Sequence, residues 1–263
     1  MNNYGEYQYL RPRDMVKIRD AMPVAYMGTG VLEWHGLHNP LGFDAVKSDA
    51  IAKYLAKTLG GIVMPPQYWG DYRAEFAEIE FDESFKPPFS FPENHFDHTV
   101  PIGEIMGVEK SAYLKDIERC KQYGKWEPWE KLMTRTMFQI ETIGFKAIIM
   151  IPGHYPSIAH MGSAIKDYYK EGGQSKVLLL TETDFPIGDF VGDHAAAYET
   201  SMMLVLRPEL VDIGELDSDL LKPNIGVIGF DPRVHASKEL GEKVLDKLLT
   251  AATDFLKDCG LIA

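Results

Sequence analysis

Apolar positions along the chain fall into two patterns. Short unbroken runs at 24–27, 62–64, 146–151 and 177–181 have the length of strands buried on both faces. Longer stretches at 44–59, 129–143, 157–169, 195–206 and 237–256 carry apolar residues at helical spacing. Gly60-Gly61, Gly144 and Gly172-Gly173 end three of these helices, and Pro208 stops a fourth. Strand, helix and strand alternate, which predicts a single α/β domain over residues 1–263: three layers, α/β/α, around a largely parallel sheet. Residues 1–20 are polar and aromatic and read as an arm with a short helix. Residues 226–232 read as a short strand and turn. Residues 67–128, rich in aromatics and prolines, are the least regular. A segment this long without clear periodicity reads as a lid or an oligomer contact, and His95 and His98 within it as surface residues.

Composition narrows the function classes. A net charge of −12 over 263 residues argues against nucleic acid and against anionic membranes as partners. The N-terminus lacks a basic segment followed by an apolar one, so no secretory signal is expected, and no run approaches the ~18 apolar residues of a membrane span. Cys120 and Cys259 are far apart and form no metal motif. Two cysteines in a chain this long suit a reducing, cytoplasmic compartment.

The candidate chemistry begins just after the first buried run. Glu33 and His35 are two apart, so an extended backbone puts both on one face and turns Trp34 away. Gly36, Pro40 and Gly42 can fold the chain so that Asp44, at the position expected of a helix N-cap, returns to the same place. Two carboxylates and an imidazole would suit a divalent cation such as zinc or manganese. Glu-x-His is common by chance, so the rest of the chain decides. His154 follows the third buried run, where open α/β sheets bind ligands. His194 and Glu199 stand near the start of a later helix, five residues apart, which suits distinct roles in one cleft. Met202, Met203 and Leu206 place Glu199 beside a buried stripe.

The order of these pieces resembles the creatininase (creatinine amidohydrolase) family. Its first signature, Glu-x-His-Gly-x-His-x-Pro-x-Gly-x-Asp, is matched at every fixed position from Glu33 to Asp44. Its second, a strand ending in Asn-Gly-His, appears as Pro152-Gly153-His154. Its third appears as His194-Ala195-Ala196-Ala197-Tyr198-Glu199-Thr200-Ser201, followed by Arg207-Pro208. The late Gly-Val-x-Gly-x-Pro turn resembles residues 226–232. The resemblance runs from about residue 23 to the C-terminus, with 70–128 a divergent insertion. It implies a single α/β domain, two divalent ions (zinc with manganese or iron) and a homo-oligomer, commonly a hexamer. By position, Glu33 and His154 would hold one ion and His35 the other, with Asp44 bridging. Some members supply a further carboxylate two residues after the second-signature His. Pro156 stands there, so the resemblance gives that ligand to Glu199. His194 matches the residue that handles protons or binds substrate. Asp193, Tyr155 and Trp69 are the candidate substrate-binding residues, and His38 a support for the loop.

The implied activity is metal-dependent hydrolysis of an amide or cyclic amide C–N bond in a small molecule, creatinine or a relative. Two other readings remain beside it, and a third is weighed and fails. A non-catalytic relative could bind a small molecule, and Pro156 motivates that reading. A metal-dependent hydrolase could instead act on a lactone or a formamide. Gly28-Thr29-Gly30 after a strand suggests a dinucleotide site, but the third glycine of that fingerprint would fall at Glu33, so the match fails.

Overall fold

The computed structural model describes residues 3–69, 104–124 and 126–263. Five strands form one parallel sheet: β1 (Tyr4–Glu6), β2 (Val24–Thr29), β3 (Gly61–Val63), β4 (Ala147–Pro152) and β5 (Lys176–Leu179), in the order β1-β3-β2-β4-β5. Every residue of β2 and β4 is buried, as a strand covered on both faces requires. Strand pleating divides their side chains between two cores. On one face Ala25, Met27, Ile148 and Met150 pack against helices α1 (Pro12–Ala21), α3 (Lys110–Tyr123), α4 (Glu127–Thr142) and α5 (Ser157–Lys170). On the other, Val24, Tyr26, Ile149 and Ile151 meet α2 (Phe43–Leu59), α6 (Ala197–Leu206) and α8 (Lys238–Asp258). A short helix, α7 (Pro232–His235), precedes α8. The Ser237 hydroxyl starts α8 by accepting the Leu240 amide.

Apart from the strand expected within residues 226–232, the expected strands and helices are present, with ends shifted by a few residues. Three readings are corrected. The N-terminal arm contains β1, an edge strand whose register against β3 runs from Tyr4 opposite Gly61 to Glu6 opposite Val63. Part of the segment read as irregular is the helix α3, and the next helix begins at Glu127 rather than 129. Residues 226–232 make no strand of the sheet; Ile228 pairs instead with His194 in an isolated antiparallel bridge. The expectations for residues 70–103, His95 and His98 included, lie outside the described residues. Among the described residues no helix is long and apolar enough to cross a membrane.

Gly28 and Gly30 serve packing. A Cβ on Gly30 would lie 2.5 Å from the Asp44 carbonyl carbon, so the start of α2 rests directly on the end of β2. Gly153, just past β4, lies as close to the backbone of Asp44 from the other side. These contacts bring the first turn of α2 to the C-terminal ends of β2 and β4.

Candidate metal centre

β2 and β4 are neighbours in register, with Thr29 opposite Pro152. The chain leaving β2 therefore emerges beside the chain leaving β4. Past β2 it turns, and a parallel bridge between Glu33 and Gly42 returns it to α2. Trp34 points the other way into the core, edge-on to Tyr113 at 6.1 Å. The N-cap of α2 is Gly42, so the reading of Asp44 as N-cap is corrected. Asp44 lies inside the first turn of α2, and its carboxylate is turned to two imidazoles. Oδ1 is 3.0 Å from His35 Nε2, and Oδ2 is 3.1 Å from His154 Nδ1. Glu33 Oε2 is 3.0 Å from the same His154 nitrogen, while Glu33 Oε1 is buried with no hydrogen-bond partner among the described residues. Glu199 Oε2 is 3.6 Å from His35 Nε2 and accepts the Ala195 amide at 2.8 Å. Ala195 has φ 54°, a strained setting for alanine that aims this amide at the carboxylate.

Two donor sets result, with Asp44 in both: Glu33, Asp44 and His154, and His35, Asp44 and Glu199. Within each set the ligand atoms lie within 4.8 Å of one another, and all five residues are buried. A third grouping joins Glu33 and His35 to His194. Carboxylate and imidazole together match borderline divalent ions, and the partnerless oxygen of Glu33 fits a metal ligand lacking its ion. Charge tells the same story. Burial works against a charged His35, yet Asp44, and after it Glu199 and Glu33, raise its pKa to about 9. His154 is raised well above its ordinary value by Glu33 and Asp44 against the same burial. His35 and His154 hold Asp44 far below the usual carboxylate range although it is buried.

His194 is joined to Ile228 by two backbone hydrogen bonds, and its ring centroid is 4.3 Å from that of His35. Burial, and then the charge on His35, lower its pKa to about 4. His38 is buried, with Nε2 3.0 Å from Thr200 Oγ1, in the supporting place expected of it. The three candidate substrate residues differ in setting. Asp193 is turned toward the start of α6, where its carboxylate accepts the amides of Tyr198 at 2.8 Å and Glu199 at 3.1 Å. Trp69 is 69% exposed, whereas the donor cluster is buried. Tyr155 follows His154, its hydroxyl is buried, and Lys47 Nζ is 4.9 Å from its ring centroid.

Three residues went unread in the sequence. Lys47 and Glu182 are fully buried and paired at 2.5 Å, and Lys47 also meets Glu199 Oε1. Trp126 is buried, its ring 6.3 Å from that of His154 and stacked on His160 at 4.6 Å. Lys47 offered one signal, its place one helical turn after Asp44.

A parallel α/β fold with carboxylate–imidazole donor sets at the strand ends defines a class of protein with side chains that could hold a metal ion. Comparison with known proteins gives the particular family. The Creatininase model, creatinine amidohydrolase, matches residues 126–256. A creatinine amidohydrolase of Pseudomonas putida is 24% identical over 89% of this chain and 89% of its own length. A manganese creatininase shares the fold with a TM-score of 0.63 at 20% identity, covering 96% of this chain and 97% of that one. A zinc–zinc form of a creatininase variant does so with 0.63 at 20%, covering 98% of each. Residues 126–256 thus belong to the creatininase family, and the chain as a whole shares the creatininase fold.

Proposed function

We propose that this protein is a metal-dependent amidohydrolase that cleaves a C–N bond outside peptides, in a cyclic or linear amide related to creatinine. The observation that carries the reading is the sharing of Asp44 between two donor sets. Glu33 and His154 would hold one ion, His35 and Glu199 the other, and Asp44 both. Bound there, two divalent ions supply a water acidified toward a pKa of ~7 and a Lewis acid for the carbonyl oxygen. His194 is neutral at pH 7, so a ring nitrogen can accept a proton and pass it to the leaving nitrogen. His38 and Thr200 fix the loop that carries His35. Tyr155 limits the pocket on the Lys47 side.

Elemental analysis of the full-length protein, with a screen of creatinine, other cyclic amides and linear amides, tests the reading. About two ions per chain and turnover of at least one amide are expected. Asp44→Ala should lose both. A protein that takes up no divalent ion would favour a non-catalytic binder, and turnover confined to lactones or formamides would move the activity to those bonds. A metal-replete, fully active Asp44→Ala variant would end the proposal.

A further inference from the structure

Lys47 is the least expected residue of the interior. It lies on α2 three residues after Asp44, among alanine, serine, isoleucine and leucine, and none of its side chain reaches solvent. Its ammonium meets two carboxylates. Glu182, in the turn after β5, is 2.5 Å away, and Glu199 Oε1 is closer still. The rings of Tyr155 and Phe43 flank it, with centroids at 4.9 and 5.4 Å. A buried ion pair is a weak device for stability, since well-packed apolar residues often do as well. This one touches a residue of the donor cluster.

The contacts of Glu199 indicate what the pair does. Lys47 occupies Oε1. Oε2 accepts the Ala195 amide and faces His35 Nε2 at 3.6 Å. With both oxygens engaged the carboxylate cannot swing, and only Oε2 is turned toward His35 and Asp44. Glu182 cancels the charge of Lys47, so the ammonium orients Glu199 without adding net positive charge beside a cation position. We propose that Lys47 and Glu182 are a positioning pair that presents a single oxygen of Glu199 to the ion framed by His35 and Asp44. The inference rests on the reading of the two donor sets as a metal centre. It assigns the pair to one of the two positions only.

Stepwise zinc titration of the metal-free full-length protein, with a competing chelator, tests it. Lys47→Met/Glu182→Met removes both charges together and is expected to fold, because net charge and packing volume change little. Glu182→Gln keeps the shape, removes the carboxylate that cancels the charge of Lys47 and leaves Glu199 as its remaining carboxylate partner. Both variants should bind the second zinc ~10–100-fold more weakly and the first within about threefold of wild type, the scale on which residues that orient a ligand act. In the cobalt-loaded protein the visible absorption of one of the two ions should change. Second-site affinity within threefold of wild type in Glu182→Gln overturns the proposal, whether or not the double variant folds. Equal weakening of both sites overturns it too. If the wild type binds no zinc, the metal reading itself fails, and the pair's role falls with it.

Discussion

Gly153→Ala tests whether the close approach of two backbones sets the donor geometry. Gly153 follows β4, and its amide donates to Thr29 at 2.7 Å. An added Cβ would lie 2.7 Å from the carbonyl carbon of Asp44 and 3.2 Å from its Cα, and nearer still to its carbonyl oxygen. Ordinary contact begins near 3.4 Å, so the carbonyl carbon alone must move about 0.7 Å and the oxygen more. The neighbour is backbone at the start of a packed helix, not the tip of a flexible side chain. Forcing that shift costs ~1–3 kcal/mol, which for a domain this large lowers Tm by roughly 2–10 °C. The effect on the site is larger. His154 Nδ1 and Asp44 Oδ2 are 3.1 Å apart, and they sit on the two elements driven apart. A misplacement of ~1 Å costs about 10²-fold in turnover. Thermal melting, zinc stoichiometry and amide hydrolysis measured on one preparation read all three consequences. A Gly153→Ala variant with wild-type Tm and wild-type turnover would refute the reasoning.

Two further outcomes concern the frame around the site. Asp231 accepts the Arg233 amide at 2.9 Å and its guanidinium at 2.6 Å, and although burial raises the Asp231 pKa, Arg233 outweighs it and lowers the pKa on balance. A depressed folded pKa means the contribution is present above the unfolded value of ~3.9 and is lost as pH falls through the folded one. Asp231→Asn should cost ~1.5–3 kcal/mol at pH 7 by urea unfolding and narrow the gap to wild type below about pH 4; a gap that widens in acid would contradict this. Met133 is fully buried in the core beneath α4, so Met133→Ala should cost ~2–5 kcal/mol with an unchanged m-value, and a loss under 1 kcal/mol would mean the site collapses around the cavity.

How much of this was legible in the sequence depends on where each decision is made. β2 and β4 are apolar on both faces, so composition alone identifies them. The closing helix α8 carries its own stripe and its own cap at Ser237. β1 has three polar or small residues and becomes a strand only because β3 offers an edge. α3 shows little beyond charged and polar residues, so its helical spacing is faint. Side-chain partnerships were harder. Glu33, His35 and Asp44 are close in sequence, and the turn residues between them announce the fold-back. Lys47 reads as a solvated lysine until Glu182, 135 positions later, is known to lie beside it. Asp193 reads as an available carboxylate because nothing local shows that it accepts two amides of α6.

The place of the donor cluster follows from the strand order. From β2 the chain crosses through α2 on one face of the sheet to β3. From β4 it crosses through α5 on the opposite face to β5, on the opposite side. The two connections therefore part between β2 and β4, and a crevice opens at their C-terminal ends, where doubly wound sheets bind ligands. Because the strands are in register, Glu33 and His154 need only a few residues of loop to meet there. Two of the three donor carboxylates, Asp44 and Glu199, lie in the first turns of α2 and α6. A helix N-terminus favours the ionised form of a carboxylate. The sheet thus supplies the crevice, and the helix starts supply two of the carboxylates. A buried cluster of carboxylates and imidazoles at this crevice is the donor set that the proposed metal centre requires.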